Sequence, residues 1–489
     1  MLGPWRSHYD YQQFVIRMLG TCKSSDSILE YKSAISKLYI LNLDKLKDII
    51  APLYSSTGRP ALFQPEIFRS FILMSELGFN LDNWIPKLKS NFVLRSIVGV
   101  DKDSVPSVSS HYDFINRLIK IDEKPRIKLK KRKPTKKIGK NKKLPNRHAD
   151  IVARLVDKIL CGRSFSLRPE RFIQKIFADV CVQASIDMGI IPHTLDVAGD
   201  GTCINTNASP YGKSTCKCRE NGIFNCNCPR RFSDPNAAWG WDSSQERYFY
   251  GYMGYFLSTY NNDLKVDLPL YLRIVDAKRH DSVSAVVALQ EFRELYPHLK
   301  IDSFLSDAAS DNYATYKLLD HWGINAVISL NETNKGHFKY PPTLKINDDG
   351  IPVCMCDQPM VHWGFNTDRC RIKYRCPLAC GKIDKCPHKS KCSPSEYGRT
   401  VYVKPDWDLR LFTRIPRGSD AWKAKFKKRT CAERVNNRIL NNYGVEKNCK
   451  TKKRISFFSM IAGFNIHLDA QLKYLVSKDL FNFEKLFMV

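Results

Sequence analysis

Apolar side chains recur at helical spacing through the first 120 residues. Residues 65–79, PEIFRSFILMSELGF, place them along one stripe with Pro65 early in the helix. Residues 82–98 predict a second helix. In 103–118, DSVPSVSSHYDFINRL, Ser and Asp capping candidates precede another periodic stretch. The set reads as a compact helical module, either a helix-turn-helix DNA-binding unit or a dimerisation unit. Residues 148–191 are again helical in pattern. Three aromatic and β-branched runs then predict strands, LDVAGDGTCI, YFYGYMGYFLSTY and LPLYLRIVDA. A helix over DSVSAVVALQEFRELYP, a strand at DSFLSDAA, a helix at NYATYKLLDHWG and a strand at NAVISL follow. Helices are expected at 422–440 and 455–475. This order predicts an α/β fold, a mixed sheet flanked by helices.

Residues 124–147 break the pattern. They are crowded with Lys and Arg, hold no acid, and carry Pro125, Pro134 and Pro145. Such a segment is disordered or extended when free. Lys130, Lys131, Arg132, Lys133, Lys136 and Lys137 are the candidate contacts to a DNA backbone; the alternatives are a solvated linker or a nuclear localisation signal. The whole chain of 489 residues carries 78 Lys and Arg against 49 acids, a net charge of +29, which favours phosphate-rich partners. At 43% hydrophobic residues, a sizeable core can form. No apolar run is long enough for a membrane span, and the N-terminus lacks an apolar signal core. A reducing, cytoplasmic location is therefore expected, and the 17 cysteines read as thiols or metal ligands. The expected division is a helical domain at 1–120 and a basic linker at 121–149. Residues 150–330 then form the first part of a catalytic domain, 331–415 a Cys-rich insertion, and 416–489 the rest of the catalytic domain.

Candidate chemistry rests on three acids. Asp200 is expected to end its strand, with Gly201 permitting close approach; the alternative is an ordinary Asp-Gly turn. Asp307 closes the SFLSD strand, at the edge where α/β sheets place ligands. Its competitor Asp311 reads as a cap for the helix starting near Asn312. Glu433 falls on the helix at 422–440, where Phe426, Arg429, Glu433 and Leu440 share one face at about 100° per residue. Arg429 can hold the Glu433 carboxylate or touch a DNA phosphate. His280 and Asp281 read as helix caps, with contact to metal or DNA as the alternative. Three carboxylates from separate elements suit a pair of Mg²⁺ ions, which stabilise both oxygens of an in-line phosphoryl displacement. In so basic a chain, the expected substrate is a nucleic-acid phosphodiester.

Two cysteine clusters suggest structural zinc. Cys216, Cys218, Cys226 and Cys228 form CKCRENGIFNCNC, two CxC pairs that can fold back into a tetrahedron of thiolates. In RCPLACGKIDKCPHKSKC the candidates are Cys376, Cys380, Cys386 and Cys392, with Cys354, Cys356, Cys370 and His388 as spares. A knuckle there, poor in apolar residues, is expected to need metal to fold.

Three features resemble bacterial insertion-sequence transposases of the DDE type, and together they cover nearly the whole chain. The first is DGT after a strand, followed by SDAASDNYATYKLL at the next acid. The second is Phe426, Arg429 and Glu433, similar to that group's signature of Tyr, two residues, Arg, three residues, Glu, six residues, Lys. The third is TGRPALFQPEIFRSFILMSELGF with LKSNFVLRSIVG and VPSVSSHYDFINRL, which resembles the helical domain preceding such cores. The resemblance implies an RNase H-like core using Mg²⁺ or Mn²⁺, with Asp200 and Asp307 as metal-binding aspartates and Glu433 as the third acid. It also implies double-stranded DNA partners, both element ends and target, a homo-oligomer on that DNA and association with the nucleoid. Cleavage and strand transfer would occur in one site. Two departures stand out: Phe426 replaces the signature tyrosine and Leu440 its lysine, and Arg438 lies off the stripe. The rival readings are an RNase H-like nuclease without strand transfer, and an inactive or domesticated DNA-binding derivative.

Overall fold

A computed structural model of the chain describes residues 1–22, 24–121, 124–129, 147–243, 245–331 and 341–488. The basic candidates Lys130, Lys131, Arg132, Lys133, Lys136 and Lys137 lie outside the described residues. A short piece of their segment is ordered as strand, Ile127–Lys128.

The fold is mixed α/β, built on a six-stranded sheet. Five strands define it: β1 (Thr194–Asn205), β2 (Arg247–Asn261), β3 (Val266–Asp276), β4 (Lys300–Ser306) and β5 (Asn325–Ile328). Their spatial order is β3-β2-β1-β4-β5. The first three form an antiparallel meander, while β4 and β5 run parallel to β1. Ala238–Asp242 prolongs the β3 edge by pairing with the start of β2. The centre of β2 is buried on both faces, which explains its continuous aromatic run.

Each face is covered by helices whose small residues permit close packing. The helix Asp281–Leu295 covers one face with Ala285, Ala288, Leu289 and Phe292. Behind it, Val152 and Val156 of Arg147–Leu160 meet Val283, Val286 and Leu318. On the opposite face Cys431 and Ala432 pack over Ala198, Leu305 and Val327. The long helix Lys452–Ser477 lies against β3 and also against the N-terminal helix Gln64–Glu76. A single apolar cluster therefore runs from Tyr11 to Phe487, and the N-terminal helices share it with the sheet.

The N-terminal module contains the expected helices with one correction. Residues 82–98 form two helices, Leu81–Ser90 and Phe92–Val98. Asn91 separates them because its backbone is extended and its side chain accepts from the Leu94 N–H, capping the second. Within this module Ser70 meets Trp84 Nε1 at 2.8 Å and His111 Nε2 at 2.9 Å, satisfying polar groups that are fully buried.

The Cys-rich insertion also differs from expectation. It carries an antiparallel sheet of Val361–Asn366, Arg371–Arg375 and Thr400–Val403 over its own apolar cluster, including Ile372, Tyr374, Val403 and Phe412. Its folding therefore does not depend on metal alone. Arg410 joins it to the main sheet, donating to both carboxylate oxygens of Asp311 at 2.8 to 3.0 Å.

Candidate functional site

Strand alternation brings the first two acids together. In the parallel pairing of β1 with β4, Ala198 is opposite Leu305. Two residues further along the chain from each stand Asp200, still within β1, and Asp307, the first residue beyond β4, whose side chain accepts from the Ala309 N–H. Side chains at i and i+2 share a face. Since Ala198 and Leu305 meet Cys431 and Ala432, both aspartates point to the side covered by the Glu433 helix. Asp200 does not end its strand as expected. It lies in the middle of β1, because β2 continues to pair with β1 as far as Asn205. It does lie just past the end of the parallel pairing, where the sheet opens on that side.

The third acid comes from a broken helix. Residues 422–440 are not one helix but Asp420–Lys427 and Thr430–Asn437, followed by a π turn over Arg438–Asn442. The first break is a tightening: Cys431 N–H bonds Lys428 O and Ala432 N–H bonds Arg429 O, three residues back instead of four. Lys425 and Lys428 clamp this region to the strands through Asp196 and Asp302 at 2.6 to 2.9 Å. Arg429 pairs with Glu433 at 2.7 Å, which engages it with the carboxylate. Phe426 stacks on Trp422, with ring centroids 4.6 Å apart. Leu440 is buried within the π turn, off the regular stripe, and Arg438 is held by Asp469 at 2.8 Å.

These acids feel one another. Burial first, then the charges of Asp307 and Glu433, raise Asp200 from 3.8 to about 6, against a lowering influence from Arg429. Asn436, one turn beyond Glu433, donates to Asp200 Oδ2 at 2.9 Å. A fourth acid lies at the same end of the sheet. His280 caps the helix Asp281–Leu295, accepting from the Ser282 N–H, so the capping expectation holds for His280 alone. Asp281 instead packs its carboxylate against Gly201; a Cβ there would lie 2.1 Å from Asp281 Oδ1. Burial, then Asp200 and Asp307, raise Asp281 from 3.8 to about 7. Gly201 and Asp200 face opposite sides of β1, so Asp281 approaches from the far face. Asn436 and the placement of Asp281 escaped the sequence reading. The glycine after Asp200 was the available signal for a close neighbour.

Asp311 is the clearest correction. It does not cap the following helix; Asn312 does, accepting from Ala314 N–H. Asp311 is buried against Arg410 and accepts from Asn331 N–H at 2.7 Å, leaving it a structural anchor.

The first cysteine cluster assembles. The Sγ atoms of Cys216, Cys218, Cys226 and Cys228 all lie within 4.8 Å of one another, and this group could hold a metal such as zinc. The Cys216–Cys226 and Cys218–Cys228 separations are 3.6 Å. A tetrahedral zinc with bonds of about 2.3 Å sets its sulfurs about 3.8 Å apart. The Ser214 side chain, first among several hydrogen bonds, lowers the Cys216 thiol to about 6, while Cys216 itself raises Cys218 to about 12. The second cluster does not assemble. Cys376, Cys380, Cys386 and Cys392 form no such group among the described residues. Cys386 instead meets Cys356 at 2.8 Å, and the spare candidate Cys354 also neighbours Cys356. Among the described residues no three of the carboxylates of Asp200, Asp281, Asp307 and Glu433 lie within 4.8 Å of one another. Among the described residues, no helix is long and apolar enough to cross a membrane.

Comparison with known protein families finds no match, and comparison with curated proteins finds none.

Proposed function

We propose that this chain is a metal-dependent DNA transposase of the DDE type, cutting and joining strands for an insertion sequence. The observation that carries the reading is the convergence of Asp200, Asp307 and Glu433. Three acids up to 233 residues apart come from β1, the end of β4 and a helix to one edge, and Asp200 is raised by burial and by the charges of the other two. The strand order β3-β2-β1-β4-β5, with the first three antiparallel, supports an RNase H-like core. The net charge of +29 supports a DNA partner.

The donor set fits a hard divalent cation. It is all carboxylate, and at Asp200 burial first, then the charges of Asp307 and Glu433, raise the pKa against a lowering influence from Arg429. When bound, paired Mg²⁺ or Mn²⁺ would supply Lewis-acid stabilisation of attacking and leaving oxygens. Asp200 and Asp307 would hold the metal from a rigid sheet. Asn436 orients Asp200, and Arg429 fixes Glu433. The clamps from Lys425 and Lys428 set the height of that helix over the strands.

The test uses duplexes carrying inverted repeats that bracket the gene. With Mg²⁺, the protein is expected to nick at the repeat end and join the released 3′ hydroxyl to target DNA. Nicking without joining would replace this reading by a nuclease. Binding without either reaction would replace it by an inactive derivative, the reading favoured by Phe426 and Leu440.

A further inference from the structure

The cysteine hairpin sits on an unusual base. Its stem, Lys213–Ser214 paired with Arg230–Arg231, leads directly into the four thiols. On its other edge Arg230–Arg231 pairs with Ile127–Lys128, at the root of the basic segment. Phe232 N–H bonds Arg126 O at 2.8 Å, and Lys124 N–H bonds Asn236 Oδ1 at 3.2 Å. The hairpin thus anchors one end of that segment. The other end enters the helix Arg147–Leu160, where the His148 ring stacks on His280 at 4.5 Å, one residue from Asp281. The segment is therefore tied at both ends, to the hairpin and beside the acidic edge.

The hairpin surface is itself basic. Residues 213–231 contain five Lys or Arg and one Glu. Lys213, Lys217, Arg219 and Arg231 are exposed, and among the described residues no ion pair engages them. At the tip Ile223 is 54% exposed and Phe224 71%, far more than a packed loop tolerates. Cations flanking an exposed apolar tip on a rigid hairpin match the backbone and a groove of a nucleic-acid duplex.

We propose that this hairpin, locked by a metal at its four thiolates, is a docking element for duplex DNA that also fixes the root of the basic segment. Lys217, Arg219 and Arg231 contact phosphates, and the Ile223–Phe224 tip enters a groove. The choice of DNA as the duplex rests on the proposed function; the hairpin's charge and metal site do not.

The experiment measures affinity for a short duplex of arbitrary sequence across a salt series, with zinc content determined alongside. Lys217→Gln, Arg219→Gln and Arg231→Gln combined should keep bound zinc. They should flatten the slope of log affinity against log salt by about 0.9 per lost contact, up to about 2.7. From about 50 to about 200 mM salt the wild type should therefore lose up to about 40-fold more affinity than the variant. Phe224→Ala should weaken binding without changing that slope. Cys216→Ser with Cys218→Ser should lose zinc and reproduce the flattened slope. An unchanged slope in the triple variant, with zinc retained, overturns the docking role while leaving the transposase reading intact. Equal losses on duplex RNA and none on DNA would also overturn it. A wild-type protein with no affinity for duplex DNA overturns both.

Discussion

Replacing Asp281 by Asn should stabilise the metal-free protein at neutral and alkaline pH. The carboxyl is buried beside Gly201 and repelled by Asp200 and Asp307, which raises it from 3.8 to about 7. The shift of about three units, at ~1.36 kcal/mol each, sets a ceiling near 4 kcal/mol on the cost of ionising it in the folded state. The sign follows from linkage. Above about pH 7 the folded wild type carries the full penalty, which Asn lacks. Below about pH 4 both folded and unfolded carboxyls are protonated and the penalty vanishes. The variant should therefore melt above the wild type at pH 8 and together with it near pH 4. Using ~2.1 cal/mol/K per residue for unfolding entropy, about 4 kcal/mol amounts to about 4 °C in a chain of this length. The assay is thermal unfolding in chelator at several pH values. The comparison must be between variant and wild type, because buried His111 and His467 act oppositely. Burial lowers each to about 4, so their contribution is present above about pH 6.5 and lost as pH falls toward 4. Both proteins carry them, and they cancel in the difference. A variant that melts at or below the wild type at pH 8 would refute the claim that burial, with the charges of Asp200 and Asp307, penalises the ionised Asp281 carboxyl.

Asp200→Asn, Asp307→Asn and Glu433→Gln should each abolish Mg²⁺-dependent cleavage while DNA binding persists; near wild-type cutting by any one removes that residue from the site. Asp311→Asn should act on stability instead, because it leaves buried Arg410 unpaired, costing about 3 kcal/mol in unfolding measurements with little change in rate per folded molecule. Elemental analysis of protein purified without chelator should find zinc at the 216–228 hairpin, and a strong chelator should release it with loss of protection of those four thiols. Neutralising six Lys or Arg within 124–147 should weaken binding to all sequences alike and flatten its salt dependence, leaving chemistry on bound DNA little changed.

The strands were legible because their apolar runs are long and uninterrupted: β2 is buried throughout its centre, and periodicity needs nothing further. The helix containing Glu433 was legible as helix but not as geometry. Its tightened turn falls where Lys425 and Lys428 reach Asp196 and Asp302, and its π turn begins at Arg438, which is held by Asp469; a uniform 100° step cannot anticipate either. Asp200 read as a strand end because GDGT has the composition of a turn. Its glycines answer to neighbours distant in sequence, Tyr255 and Phe304 at Gly199 and Asp281 at Gly201. Asp311 illustrates the same limit: its partner Arg410 is 99 residues away. The cysteines divide likewise. The 216–228 set closes within one hairpin, whereas Cys386 takes a partner 30 residues upstream.

The helix Lys452–Ser477 has a consequence for synthesis. Asn465 donates to Ile72 O, Gln471 to Ser185 and His467 meets Pro269 O, so one late helix completes contacts with three earlier regions. Until it leaves the ribosome, the buried faces of Gln64–Glu76 and β3 lack their cover. At about 5–20 residues per second, those faces wait roughly 20 to 80 seconds after the first of them is made. A nascent chain of this kind depends on something other than its own fold to shield it during that interval. Any product ending before residue 452 would remain in that condition permanently, as a substrate for chaperones and proteases.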